Sequence, residues 1–195
     1  MPIEIIRAAS LPRTPWKNGG GTTTELAVYP PGSGFDSFVW RLSFADVASD
    51  GPFSLFPGVD RTLTVVEGAG IELIREGGTT RVEGGSLALF AGDEPVVGRL
   101  IGGSIRDLNV MTRRGLCRHG VSRLDAGSKD VSVDCVDWIV LVSLDEACRV
   151  RVRDRALELG RLDSVMIDGH KEGAAFIETS GALICVVLTL EAASG

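Results

Sequence analysis

Apolar and polar residues alternate along this chain in short runs, and glycine or proline interrupts the runs every eight to ten residues. Alternation with a period of two is the mark of a strand with one buried face. Between residues 38 and 47, Trp40, Leu42 and Phe44 share one face, while Arg41, Ser43 and Ala45 share the other. The pattern predicts strands over 3–8, 22–29, 38–47, 61–67, 71–75, 79–83, 87–90, 95–100 and 105–111. A second series is expected over 131–136, 138–143, 148–152, 156–159, 164–167, 174–178 and 182–190. No run of a dozen residues has the helical period, although 45–49 allows one helical turn. The polar, glycine-containing stretch 112–130 reads as a crossover between the series. The class is therefore all-β, a sandwich or barrel with little helix.

The two series repeat one another. At an offset of 78 residues, Leu63 falls on Leu141, Ser86 on Ser164 and Ile105 on Leu183. This predicts two antiparallel β-barrels or sandwiches in one chain, over residues 1–114 and 115–195. The halves differ in one place. Asp107 and Asn109 lie two apart on one strand face, where the second half has Cys185 and Val187. A buried aspartate needs partners, because an unpaired charge inside a protein is costly. Arg41, Ser43 and Lys17 are candidates. The first half is thus expected to hold a polar cavity and the second a degenerate, packed core. A solvent-facing strand would remove the meaning of both residues.

Residues 15–25 read Pro-Trp-Lys-Asn-Gly-Gly-Gly-Thr-Thr-Thr-Glu. Asn-Gly-Gly suits a tight turn with positive φ, and such turns can aim several N–H groups at an anion. Trp16 adds an apolar wall and Lys17 a charge. The plainer reading is a turn with a solvated lysine and a tryptophan that caps the core.

Composition narrows the function classes. The 195 residues are 44 % hydrophobic and carry a net charge of −6, with a sequence pI of about 5.0. That balance argues against binding nucleic acid through phosphate contacts. No apolar run approaches the ~20 residues of a membrane span, and the N-terminus lacks a signal-peptide pattern. A cytoplasmic protein is expected. Cys117, Cys135, Cys148 and Cys185 have no CxxC spacing and read as small buried hydrophobes. His119 and His170 have no histidine or cysteine nearby at ligand spacing and read as surface residues, so no metal and no cofactor is expected. Glu25, Asp46, Asp50, Asp60 and Asp107 are scattered acids. Arg61, after the turn at Pro57-Gly58, either pairs locally with Asp60 or reaches the cavity mouth, and the surface pair is the preferred reading.

Four motifs in order resemble the HutD/Ves family: residues 15–23, Trp40-Arg41-Leu42-Ser43, Asp50-Gly51-Pro52-Phe53-Ser54 with Phe56-Pro57-Gly58 and Asp60-Arg61, and residues 107–113. The resemblance is dense in the first half and loose in the second. It implies a cupin-like fold with two barrels, a bicupin, without the metal ligands of true cupins. It also implies a modulator of histidine utilisation that senses a small anion such as N-formylglutamate or formate, or a stress-induced protein.

Three readings follow. In the first, a non-catalytic barrel binds a small carboxylate through Trp16, Lys17, Asn18, Arg41, Ser43, Asp107, Asn109 and Met111. In the second, an enzyme acts on an acylated amino acid with Asp107 or Glu25 as general base. In the third, an exposed strand edge makes a homodimer or another protein contact.

Overall fold

The computed structural model describes residues 3–17, 19–131, 136–169 and 175–192. The chain forms strands β1 (Ile3–Ile6), β2 (Arg13–Pro15), β3 (Gly21–Tyr29), β4 (Trp40–Val47), β5 (Gly51–Pro52), β6 (Val59–Glu67), β7 (Gly70–Arg75), β8 (Gly78–Glu83), β9 (Leu87–Ala91), β10 (Val97–Leu100) and β11 (Ile105–Arg113). It continues through β12 (Cys117–Leu124), β13 (Gly127–Val131), β14 (Trp138–Ser143), β15 (Cys148–Val152), β16 (Arg155–Leu159), β17 (Ser164–Asp168), β18 (Ala175–Thr179) and β19 (Leu183–Leu190). The all-β expectation holds. The first strand stops at Ile6, before a 3-10 turn at Ala8–Ser10. Residues 45–47 are strand rather than helical turn, because Ala45 and Val47 supply the buried face of β4.

Two compact units result, Leu11–Cys117 and Met1–Ser10 with Arg118–Gly195. In the first, a six-stranded sheet of order β2-β3-β4-β11-β6-β9 is accompanied by a four-stranded sheet of order β5-β10-β7-β8. Its core joins the two sheets: Ala45, Val47, Leu63 and Val65 pack with Ile71, Leu73 and Val82. In the other unit the orders are β1-β17-β14-β19-β12 and β13-β18-β15-β16. Ile139, Leu141, Val165 and Cys185 pack there with Val150, Val152 and Ile177.

The strand orders repeat. β9-β6-β11-β4 corresponds to β17-β14-β19-β12, and β10-β7-β8 to β18-β15-β16. Each unit is a pair of sheets facing across a core, so the sheets remain open where closed barrels were one expectation. The stretch 112–130 is not a plain crossover. It ends β11 and supplies β12 and β13. Its polarity misled because β12 is last in its sheet order, where buried Cys117 and Leu124 suffice and Ser122 and Arg123 stay exposed. The expected strand over 131–136 falls largely outside the described residues, as do Cys135 and His170. His119 is half-buried on β12. The first strand belongs with the later half of the chain, since β1 pairs antiparallel with β17. A clasp holds it there: Asp163 accepts bonds from the Arg7 guanidinium at 2.6 Å, Ala8 N–H at 2.9 Å and Gly160 N–H at 3.0 Å.

Candidate functional site: a polar layer between two arginines

Within the first unit, odd-numbered residues of β4, β6 and β11 face the second sheet, and register stacks them in rows. Asp107 pairs with Ala45 and Val65, Asn109 with Ser43 and Leu63, and Met111 with Arg41 and Arg61. The core therefore runs from apolar, through a polar layer, to a row in which Met111 stands between two arginines. A bulge lies beside this layer on each flank, one after Glu25 on β3 and one opposite Arg106 and Asp107. An extra residue re-aims its neighbours. The first bulge sets Glu25 opposite Ser43 and within reach of Arg41.

Asp107 is fully buried. The Asn109 amide donates to Asp107 Oδ1, and Asn109 Oδ1 accepts from Arg61 Nη2 at 2.8 Å. Arg61 also donates to the Ser54 carbonyl at 3.2 Å. Its guanidinium lies 5.5, 5.3 and 4.8 Å from the ring centres of Phe53, Phe56 and Phe90. Aromatic faces partly replace the water that such a cation loses. Burial pushes the Asp107 carboxyl up to about 7, against the opposing pull of Arg61 and the Asn109 bond. Burial lowers Arg61 to about 10, with Asp107 raising it and Arg41 lowering it further. Arg61 thus keeps its charge at neutral pH, whereas Asp107 is poised between two states.

Arg41 donates from Nε to Glu25 Oε2 at 2.8 Å and from Nη1 to Ser43 Oγ at 3.1 Å. The Phe35 ring covers it at 5.1 Å. Two buried atoms of the layer have no hydrogen-bond partner: Asp107 Oδ2 and Arg61 Nε. Buried polar atoms are nearly always satisfied, so an orphaned acceptor and an orphaned donor on one face are what a site for a small polar molecule presents.

Of the residues expected at a site, the structure brings Arg41, Ser43, Asp107, Asn109 and Met111 onto one face. Met111 is buried against Phe38, Val59, Val28 and Phe56. Trp16 is a core cap instead. Its Nε1 donates to Thr23 Oγ1 at 2.7 Å, and its ring packs on the apolar end of the core. Lys17 is exposed and joins no hydrogen bond or ion pair among the described residues. Asn18 lies outside the described residues. Glu25 is nearly half exposed and is engaged by Arg41.

Arg61 was expected at the surface with Asp60 and is instead only 4 % exposed. Asp60 pairs with Arg114 at 3.1 Å. The signal for Arg61 was present: Val59, Arg61, Leu63 and Val65 alternate along β6, so Arg61 shares the face of three apolar residues. Among the described residues, no three His, Cys, Asp or Glu side chains converge as a metal site. No helix among them is long and apolar enough to cross a membrane.

Comparison with known proteins places the chain and its fold. A Pseudomonas putida protein, described as an uncharacterized 21.2 kDa protein in the hutC 3' region, is 34 % identical over 172 residues. That match covers 87 % of this chain and 89 % of the other. Protein Ves of Citrobacter koseri is 39 % identical over 127 residues, 63 % of this chain and 64 % of its own. The structure of HutD from Pseudomonas fluorescens SBW25, described in a formate condition, matches with a TM-score of 0.85 at 32 % identity. It covers 97 % of this chain and 100 % of that one. In fold alone the likeness extends to salicylate 1,2-dioxygenase of Pseudoaminobacter salicylatoxidans, with a TM-score of 0.60 at 10 % identity over 96 % of this chain and 80 % of the other, and the fold is cupin-like. The HutD family model matches residues 8–185, and this chain belongs to the HutD family.

Proposed function

We propose that the Leu11–Cys117 unit is a receptor for a small carboxylate and that the protein modulates histidine utilisation by sensing it in the cytoplasm. One observation carries this reading: Arg41 and Arg61 flank Met111 on the inward face. Adjacent strands lie about 4.8 Å apart, so the two backbones are about 10 Å apart and their guanidiniums can share one anion. Arg61 Nε supplies an unused donor. N-Formylglutamate and formate are the acids to test first, since one relative is described in the hutC 3' region and another in a formate condition. Titration calorimetry with each acid is expected to give saturable binding that Arg61→Met weakens at least about ten-fold, the worth of one charge-assisted hydrogen bond. Absence of binding by any small acid at concentrations well above millimolar sinks the reading.

A second reading rests on Asp107, whose carboxyl sits near 7 with Oδ2 unpartnered. Such a group can accept a proton at neutral pH, as a general base must. The substrate would be an acylated amino acid. Turnover of N-formylglutamate that Asp107→Asn abolishes while binding persists would establish an enzyme in place of a receptor.

A further inference from the structure

The inward face does not end at the arginine row. Two residues further along β6 and β11, Val59 pairs with Arg113. Both line a surface cleft of about 300 Å³ together with Phe35, Asp36, Leu55, Phe56 and Pro57. Phe35 and Leu55 are 59 % and 55 % exposed, so the cleft wall offers two large apolar side chains to solvent. The cleft has built walls. Arg113 donates to the carbonyls of Phe38 at 3.1 Å and Asp36 at 3.3 Å, which pins the turn that carries Phe35. That turn is closed by Phe38 N–H on the Gly34 carbonyl at 3.2 Å.

Cleft and arginine pair share two rings. Phe35 lies over Arg41, Phe56 lies over Arg61, and the two rings meet at 5.7 Å. Rows two residues apart on a strand are separated by about 6.7 Å, the reach of a short carbon spacer.

We propose that this cleft takes the apolar body of the same acid whose carboxylate Arg41 and Arg61 hold, so that the preferred ligands carry a ring or a branched alkyl group a few atoms from the carboxylate. The proposal rests on the carboxylate reading of the arginine pair and adds the class of acid. Compact acids occupy the arginine row alone. Longer ones also cover Phe35, Leu55 and Phe56, and gain the transfer of their apolar surface out of water.

Calorimetry on the full chain with propionate, 3-phenylpropionate and 3-phenylpropionamide tests this. The phenyl acid is expected to bind at least about ten-fold more tightly than propionate, from burial of its ring. The amide, lacking the charge, is expected to bind weakly. Leu55→Ser and Leu55→Asp should erase most of the phenyl advantage, and the uncharged serine variant should leave propionate unchanged, since Leu55 is exposed and lies outside the arginine row. Equal affinity for the two acids overturns the proposal while the carboxylate reading stands. So does an advantage that both Leu55 variants retain. An amide that binds as well as the acid overturns the proposal together with the carboxylate reading, since the arginines would then not be recognising charge. If neither acid binds while formate or N-formylglutamate does, this proposal fails and the carboxylate reading stands; if none of the four binds, both fail.

Discussion

Arg41 and Arg61 stand opposite the same residue, Met111, on the strands to either side of it. Arg61 is costly to hold there, because burial and the charge of Arg41 both work against its proton. Replacing a whole buried ion pair by apolar groups is often neutral, but removing one partner strands the other. Arg61→Met takes the donor from Asn109 Oδ1 and the opposing charge from Asp107, so it is expected to lose roughly 3 kcal/mol of stability and, separately, carboxylate binding. Urea denaturation read beside calorimetry separates the two effects. A variant that binds normally would remove Arg61 from the site.

Asp107 should make stability depend on pH in the sense opposite to most carboxylates. Its folded value of about 7 lies above the ordinary 3.8. Between these values the folded state holds a proton that the unfolded state has released, so stability falls as pH rises through the window and the loss is complete above about 7. The whole effect is at most a few kcal/mol. Asp46 and Asp163 have lowered values, so they contribute stability that is lost only as pH falls below the ordinary carboxylate range. Wild-type protein is expected to be less stable at pH 8 than at pH 5.5 in urea, and Asp107→Asn should flatten that slope. Identical slopes for the two proteins would show that Asp107 does not titrate in the window.

Gly21 tests the role of the glycine-rich loop as a fold element. A Cβ there would run into the Asp46 carbonyl and sit 3.0 Å from the Trp16 ring. The bare backbone is what lets Trp16 close over the strand pair. Gly21→Ala is expected to cost roughly 1–3 kcal/mol, as overpacking does, and to shift the tryptophan emission. An unchanged melting temperature would contradict the close approach.

Lys17 offers the sharpest contrast with the arginines. It is exposed and, among the described residues, engages no acid. An exposed charge that makes no fixed contact contributes about 0–1 kcal/mol. Lys17→Ala is expected to leave the dissociation constant of the carboxylate within about five-fold at physiological salt. A loss as large as that of Arg61→Met would place the loop at the ligand.

Much of the fold was legible in the sequence. Strand positions, the all-β class and the repeat at an offset of 78 all rest on local signals, namely alternation with a period of two and glycine or proline at turns. The comparison of halves also singled out Asp107 and Asn109, because a buried apolar strand in one copy exposes the polar exception in the other. Residues 112–130 were misread since a last strand needs few apolar side chains.

What the sequence could not decide is which strands are neighbours. β11 lies between β4 and β6, and β1 pairs with β17, although long stretches of chain separate each pair. Such pairings are set by burial of whole faces, which no local window contains. That is why Arg61, adjacent in sequence to Asp60, instead reaches Asn109 from a neighbouring strand. It is also why Lys17 and Arg61, two cations beside two turns, differ so much in burial. The sequence determined by itself that one strand face of the first half is polar. The tertiary structure alone decided that two arginines close over it, because only sheet register brings residues 41, 61 and 111 into one row.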